Sequence, residues 1–101
     1  MNPYESPAVD APVLTSADWA GGPYDFVNAG YGHVVLHVET VGSGVLAVET
    51  RSGKQRVLTV TAGERIPLLV RKVLDQTTVA VDGYPSGTAT SVAKVRAYAY
   101  G

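Results

Sequence analysis

The stretch His33-Val34-Val35-Leu36-His37-Val38-Glu39-Thr40 decides the fold. Val34, Leu36 and Val38 share one side of a period-two pattern, and His33, His37 and Glu39 mostly share the other. Successive side chains of an extended chain point to opposite faces, so this alternation marks a half-buried β-strand. Gly42-Ser43-Gly44 follows as a turn, and Val45 to Thr50 repeats the pattern with Leu46 and Val48 on one face. Arg51-Ser52-Gly53-Lys54 has hairpin-turn chemistry, because glycine readily supplies positive φ. Gln55 to Thr61 then returns as the partner strand.

Working outward, Ala62-Gly63-Glu64 is a second turn and Arg65 to Leu74 the most apolar run. Pro67 lacks an N–H donor, which confines it to a strand start, an edge or a bulge. Thr77 to Val81, rich in β-branched residues, is expected as a strand, and Asp82 to Gly87 as a loop. Ser91 to Tyr100 closes the chain, with Lys94, Arg96, Tyr98 and Tyr100 opposed by Ala93, Val95, Ala97 and Ala99. Its alanine face is expected to pack on the sheet and its polar-aromatic face to meet a partner. Upstream, Tyr24 to Asn28 reads as a short strand. Thr15 or Ser16 is placed to cap one helical turn that Gly21-Gly22-Pro23 stops.

These segments give about seven short strands at spacings of about ten residues, the pattern of an all-β domain. The expected architecture is a small antiparallel β-sandwich or jelly-roll-like barrel. Pro3, Pro7 and Pro12 make residues 1–14 an extended arm, and residues 15–101 form a single β domain. At 101 residues and 46% hydrophobic, the chain has material for one modest core and no second.

Composition also narrows function. Eight Lys and Arg stand against nine Asp and Glu, so no basic excess is available to neutralise a nucleic-acid backbone. With no cysteine, disulfide frameworks, cysteine zinc sites and thiol catalysis are excluded. The first residues have neither the basic start nor the apolar run of a signal peptide. No stretch approaches the roughly 20 apolar residues of a membrane helix. A soluble protein made in a cytoplasm is expected.

Candidate chemistry is sparse. On a strand, His33 and His37 would lie about 13 Å apart, too far to share one metal ion, so they read as surface histidines. No serine sits in a G-x-S-x-G elbow, and no phosphate loop is present. Glu39 and Glu49 read as solvated strand residues. No catalytic residue, cofactor site or metal site is therefore expected. The aromatic side chains carry more signal, since Tyr and Trp bring contact area at little entropic cost. The expected interface comprises Val9, Val13 and Leu14 of the arm with Trp19, Tyr31, Tyr98 and Tyr100.

One stretch resembles a known family. Ala62-Gly63, Ile66-Pro67-Leu68, Arg71-Lys72-Val73 and Thr77-Thr78 follow the pattern of the spike-base proteins of phages and gene-transfer-agent particles. Thr15 to Trp19 and Val27 to Gly30 loosely resemble two upstream motifs of that family. Gln76 replaces the glycine that usually precedes the Thr-Thr pair, and Pro85 to Gly101 extend beyond the usual end. The resemblance implies a non-enzymatic virion protein, decorating the capsid or forming the base of spikes or fibres. Its implied partners are further copies of itself, as a trimer or higher, and a capsid or fibre protein. The competing expectation is a carbohydrate- or receptor-binding module that stacks sugar rings on Trp19, Tyr31 and Tyr84.

Overall fold

A computed structural model describes residues 12–40 and 44–99. The alternating stretch forms a strand over Val34–Thr40, with Val34, Leu36 and Val38 fully buried. In chain order the elements are β1 (Val13–Thr15), α1 (Ser16–Trp19), β2 (Tyr24–Asp25), β3 (Val34–Thr40), β4 (Gly44–Thr50), β5 (Gln55–Val60), β6 (Val70–Val73) and β7 (Lys94–Ala99). All pairings are antiparallel, in one sheet of order β1-β7-β3-β6-β4-β5, with β2 also paired to β6. The chain is thus all-β. The inward side chains of β3, β4, β5, β6 and β7 meet in one cluster with Leu14, Trp19, Phe26 and Ile66.

The hairpin between β4 and β5 forms where expected, closing at Gly53 with φ of 83°. α1 is the expected single turn, and the Asp18 carboxylate accepts the Thr15 backbone N–H at 2.8 Å. No helix among the described residues is long and apolar enough to cross a membrane.

The strand set nevertheless differs from the expected one in four places. Val13–Thr15, read as the end of an arm and the start of the domain, pairs with β7 of the same chain, which buries Leu14 in the core. Tyr24 to Asn28 is a strand only to Asp25, whose carboxylate accepts the N–H groups of Val27 and Asn28 and turns the chain. Arg65 to Leu74 is not one strand. Arg65 bridges to His37, whereas Val70 pairs with Val34, so two extra residues bulge out around Pro67.

Thr77 to Val81 forms no strand at all. Side chains and loop carbonyls take its backbone groups instead. The Thr78 N–H donates to Gln55 Oε1 at 2.8 Å, and the Thr77 N–H donates to the Thr88 carbonyl at 2.9 Å. Asp82 and Gly83, at φ of 55° and 82°, make a two-residue turn in which Val81 and Tyr84 exchange both backbone hydrogen bonds. The resulting loop folds over the outward side of β4 and β5. There Val81 and Tyr84 pack on a second small cluster of Ala47, Val57 and Leu74.

Candidate functional site

β7 behaves as its alternation requires. Val95, Ala97 and Ala99 are buried, while Lys94, Arg96 and Tyr98 are half-buried on the opposite face. Residues paired across antiparallel strands share a face. Register therefore sets Val13 beside Arg96, Arg96 beside His37 and Tyr98 beside Val35. The outward side of β1, β7 and β3 is thus one surface built from Val13, Lys94, Arg96, Tyr98, His37 and Glu39, over the buried Val35.

Its side chains are held in place. The Arg96 guanidinium is hydrogen-bonded to the Glu39 carboxylate. That bond holds the Glu39 carboxyl below the usual carboxylate range and raises the Arg96 guanidinium above its ordinary value. His37 Nε2 lies 3.1 Å from the Gly63 carbonyl, and its ring meets Tyr98 edge-on with centroids 6.5 Å apart. His37 Nδ1 is buried with no partner among the described residues. Val13 is 38% exposed, one of three large apolar side chains among the described residues left so open. A rigid surface of aromatic, apolar and paired charged groups suits protein recognition, because little side-chain freedom remains to be lost on contact.

The expected interface residues scatter. Val13 and Tyr98 lie on this surface. Leu14 and Trp19, at 2% and 4% exposure, are core residues of their own chain and cannot touch a partner. Tyr31 is half-buried against the main core. Val9 and Tyr100 lie outside the described residues. The stacking platform for sugars is not assembled either. Trp19 is buried, and Tyr84 packs on the second cluster with its hydroxyl bonded to Thr59. Among the described residues no three His, Asp or Glu side chains converge closely enough to hold a metal ion.

The hairpin at residues 51–54, read from sequence as turn chemistry alone, also walls an open groove of about 500 Å³. Arg51, Ser52, Lys54 and Arg56 line one side, and Pro67, Leu68 and Leu69 the other. The Arg51 N–H donates to the Leu69 carbonyl at 2.9 Å and fixes the two walls together. A bulge is one of the placements the missing Pro67 N–H allows, but the groove it walls depends on the register of β6 against β3, which the local sequence does not carry.

No protein-family model, curated protein or solved structure matches this chain.

Proposed function

We propose that this protein is a non-enzymatic structural component of a phage particle. In this reading it decorates the capsid or forms the base on which spikes or fibres stand, and it acts by binding further copies of itself and other virion proteins. The observation that carries the reading is the outward surface of β1, β7 and β3. There Val13 and Tyr98 stand beside a fixed Glu39–Arg96 pair and the His37 ring. The motifs from Ala62 to Thr78 support the same reading through their resemblance to spike-base proteins. A chain of 10.6 kDa offers little contact area alone, and symmetric association multiplies it.

The test is the solution mass of the full chain by light scattering at micromolar concentration. The expected result is a trimer or larger assembly that Tyr98→Glu reduces, because a carboxylate would then be placed against apolar surface. A single species of 10.6 kDa at every concentration tested would overturn self-assembly through this surface.

A further inference from the structure

Charge is partitioned along this chain. Residues 1–50 contain no Lys or Arg, yet they carry six of the nine acidic residues. All eight basic residues lie between Arg51 and Arg96. Folding joins part of the two sets, through Arg71–Asp25 at 3.5 Å, Lys72–Glu49 at 3.8 Å and Arg96–Glu39. Arg56 is held by Asp82 at 2.8 Å. Arg51 and Lys54, both exposed at the tip of the β4–β5 hairpin, enter none of the four ion pairs among the described residues. They line the groove described above, beside the Thr50 and Ser52 hydroxyls and opposite Leu69, which is 36% exposed. Among the described residues no acidic side chain lines that groove. Two uncommitted cations facing an apolar wall fit an extended acidic peptide that also carries apolar side chains.

The N-terminal segment has that chemistry. Residues 1–11 contain Glu5 and Asp10, the apolar Tyr4 and Val9, and Pro3 and Pro7, which favour extended backbone. Sheet topology gives the geometry. Pro12 bonds to Ala97, toward the end of β7 that pairs with Val34, and Val34 pairs with Val70, which pairs with Thr50. The chain therefore enters β1 at the same pole of the sheet as the 51–54 hairpin. β1 and β5 stand at opposite ends of the strand order. Copies set side by side with this pole aligned bring the start of β1 in one copy next to the groove of the next copy, a head-to-tail contact that builds a ring where the rotation between copies closes.

We propose that the groove between residues 51–56 and 67–69 binds the acidic N-terminal segment of a second copy of this chain. Glu5 and Asp10 pair with Arg51 and Lys54, and Val9 packs on the wall formed by Pro67 and Leu69. This inference rests on the self-assembly reading above and assigns it a second contact, distinct from the Tyr98 surface.

The test exchanges charge between full-length chains and reads mass by light scattering. The Arg51→Glu/Lys54→Glu chain has an acidic groove and an acidic segment, and the Glu5→Lys/Asp10→Lys chain has a basic groove and a basic segment. Each alone is expected to fall below the wild-type mass, and their equimolar mixture is expected to regain mass through contacts that alternate between the two variants. Wild-type assembly is also expected to dissociate as sodium chloride rises from 0.15 to 1 M, which tests the contact even where a variant fails to fold. If both variants assemble as wild type does, or assembly is unchanged in 1 M salt, the groove assignment falls while self-assembly stands. If each variant dissociates and the mixture stays monomeric, docking between copies is refuted. A monomeric wild-type chain removes both this inference and the self-assembly reading.

Discussion

Thr90 pins the loop of residues 75–91 to the edge of β4 that β6 leaves open. Beyond Val73 the strand β6 ends, and the Ala47 N–H and the Leu74 carbonyl lose their ladder partners. The Thr90 hydroxyl replaces both. It accepts the Ala47 N–H at 3.0 Å and donates to the Leu74 carbonyl at 2.6 Å. Thr90→Val keeps the shape and removes both bonds. A buried N–H left unpaired costs about 1–3 kcal/mol, and a carbonyl that loses its donor costs about 0.5–1 kcal/mol. The expected destabilisation is about 2–3 kcal/mol. Thr90→Ser keeps the hydroxyl and loses one methyl, at a cost of about 0.8 kcal/mol or less. Urea unfolding followed by the fluorescence of Trp19, the single tryptophan and a core residue, reads both variants. With an m value of about 1.5 kcal/mol/M, the Val variant should lose about 1.3–2 M from the midpoint and the Ser variant about 0.5 M. A Ser variant less stable than the Val variant would refute the assignment of Thr90 as a hydrogen-bonding pin.

Trp19→Ala should destabilise the fold by about 3–5 kcal/mol, visible as a lower thermal midpoint, because the indole is 4% exposed within the main core. Asp82→Ala should lower the urea midpoint more than Asp82→Asn does. Asp82 sits at φ of 55° and accepts both Arg56 Nε and the Val57 N–H, and asparagine keeps an acceptor and tolerates that backbone. Stability should hold from neutral pH down to about 4, the ordinary carboxylate range, and fall below it. Burial raises the Asp25 carboxyl, but the Asn28 and Val27 N–H groups and the charges of Arg71 and Lys72 lower it further, and hydrogen bonds to arginine lower Glu39 and Asp82. A carboxyl depressed in the folded state contributes stability that is complete above its unfolded value and is lost as pH falls through its folded value. Asp25→Asn should therefore flatten the acid limb of a urea-midpoint profile, and an unchanged limb would remove Asp25 from that account.

The fold was legible in sequence wherever one face of a strand is buried and the other is not. β7 met that condition along its length, and β3, β4 and β5 met it in part, since Val35, Ala47 and Val57 on their outward faces are buried too; the alternation still placed Leu36, Leu46 and Ala97 in the core. The Gly53 and Gly63 turns were legible because positive φ leaves few alternatives to glycine. Thr77 to Val81 misled because β-branched composition marks a residue's fit to a half-buried surface, not its pairing. Its donors found Gln55, 23 positions from Thr78, and Thr88, 11 positions from Thr77. Val13–Thr15 was missed because three residues are too few for a period to register. The candidate surface was half legible: the polar-aromatic face of β7 was read from its own alternation, but its neighbours depend on register.

The sequence by itself determined the all-β class, the four long strands, the hairpin turns and the polar-aromatic face of β7, because those features rest on contacts between near neighbours and on the period of two. Tertiary structure decided the rest. Strand order brought β7 between β1 and β3, set Tyr98 beside His37 and Arg96 beside Glu39, took Trp19 into the core, and joined the 51–54 hairpin to the Pro67 bulge. Each of these pairs residues far apart in the chain. Such pairings are chosen by the burial of the whole core at once, which no local stretch of sequence encodes.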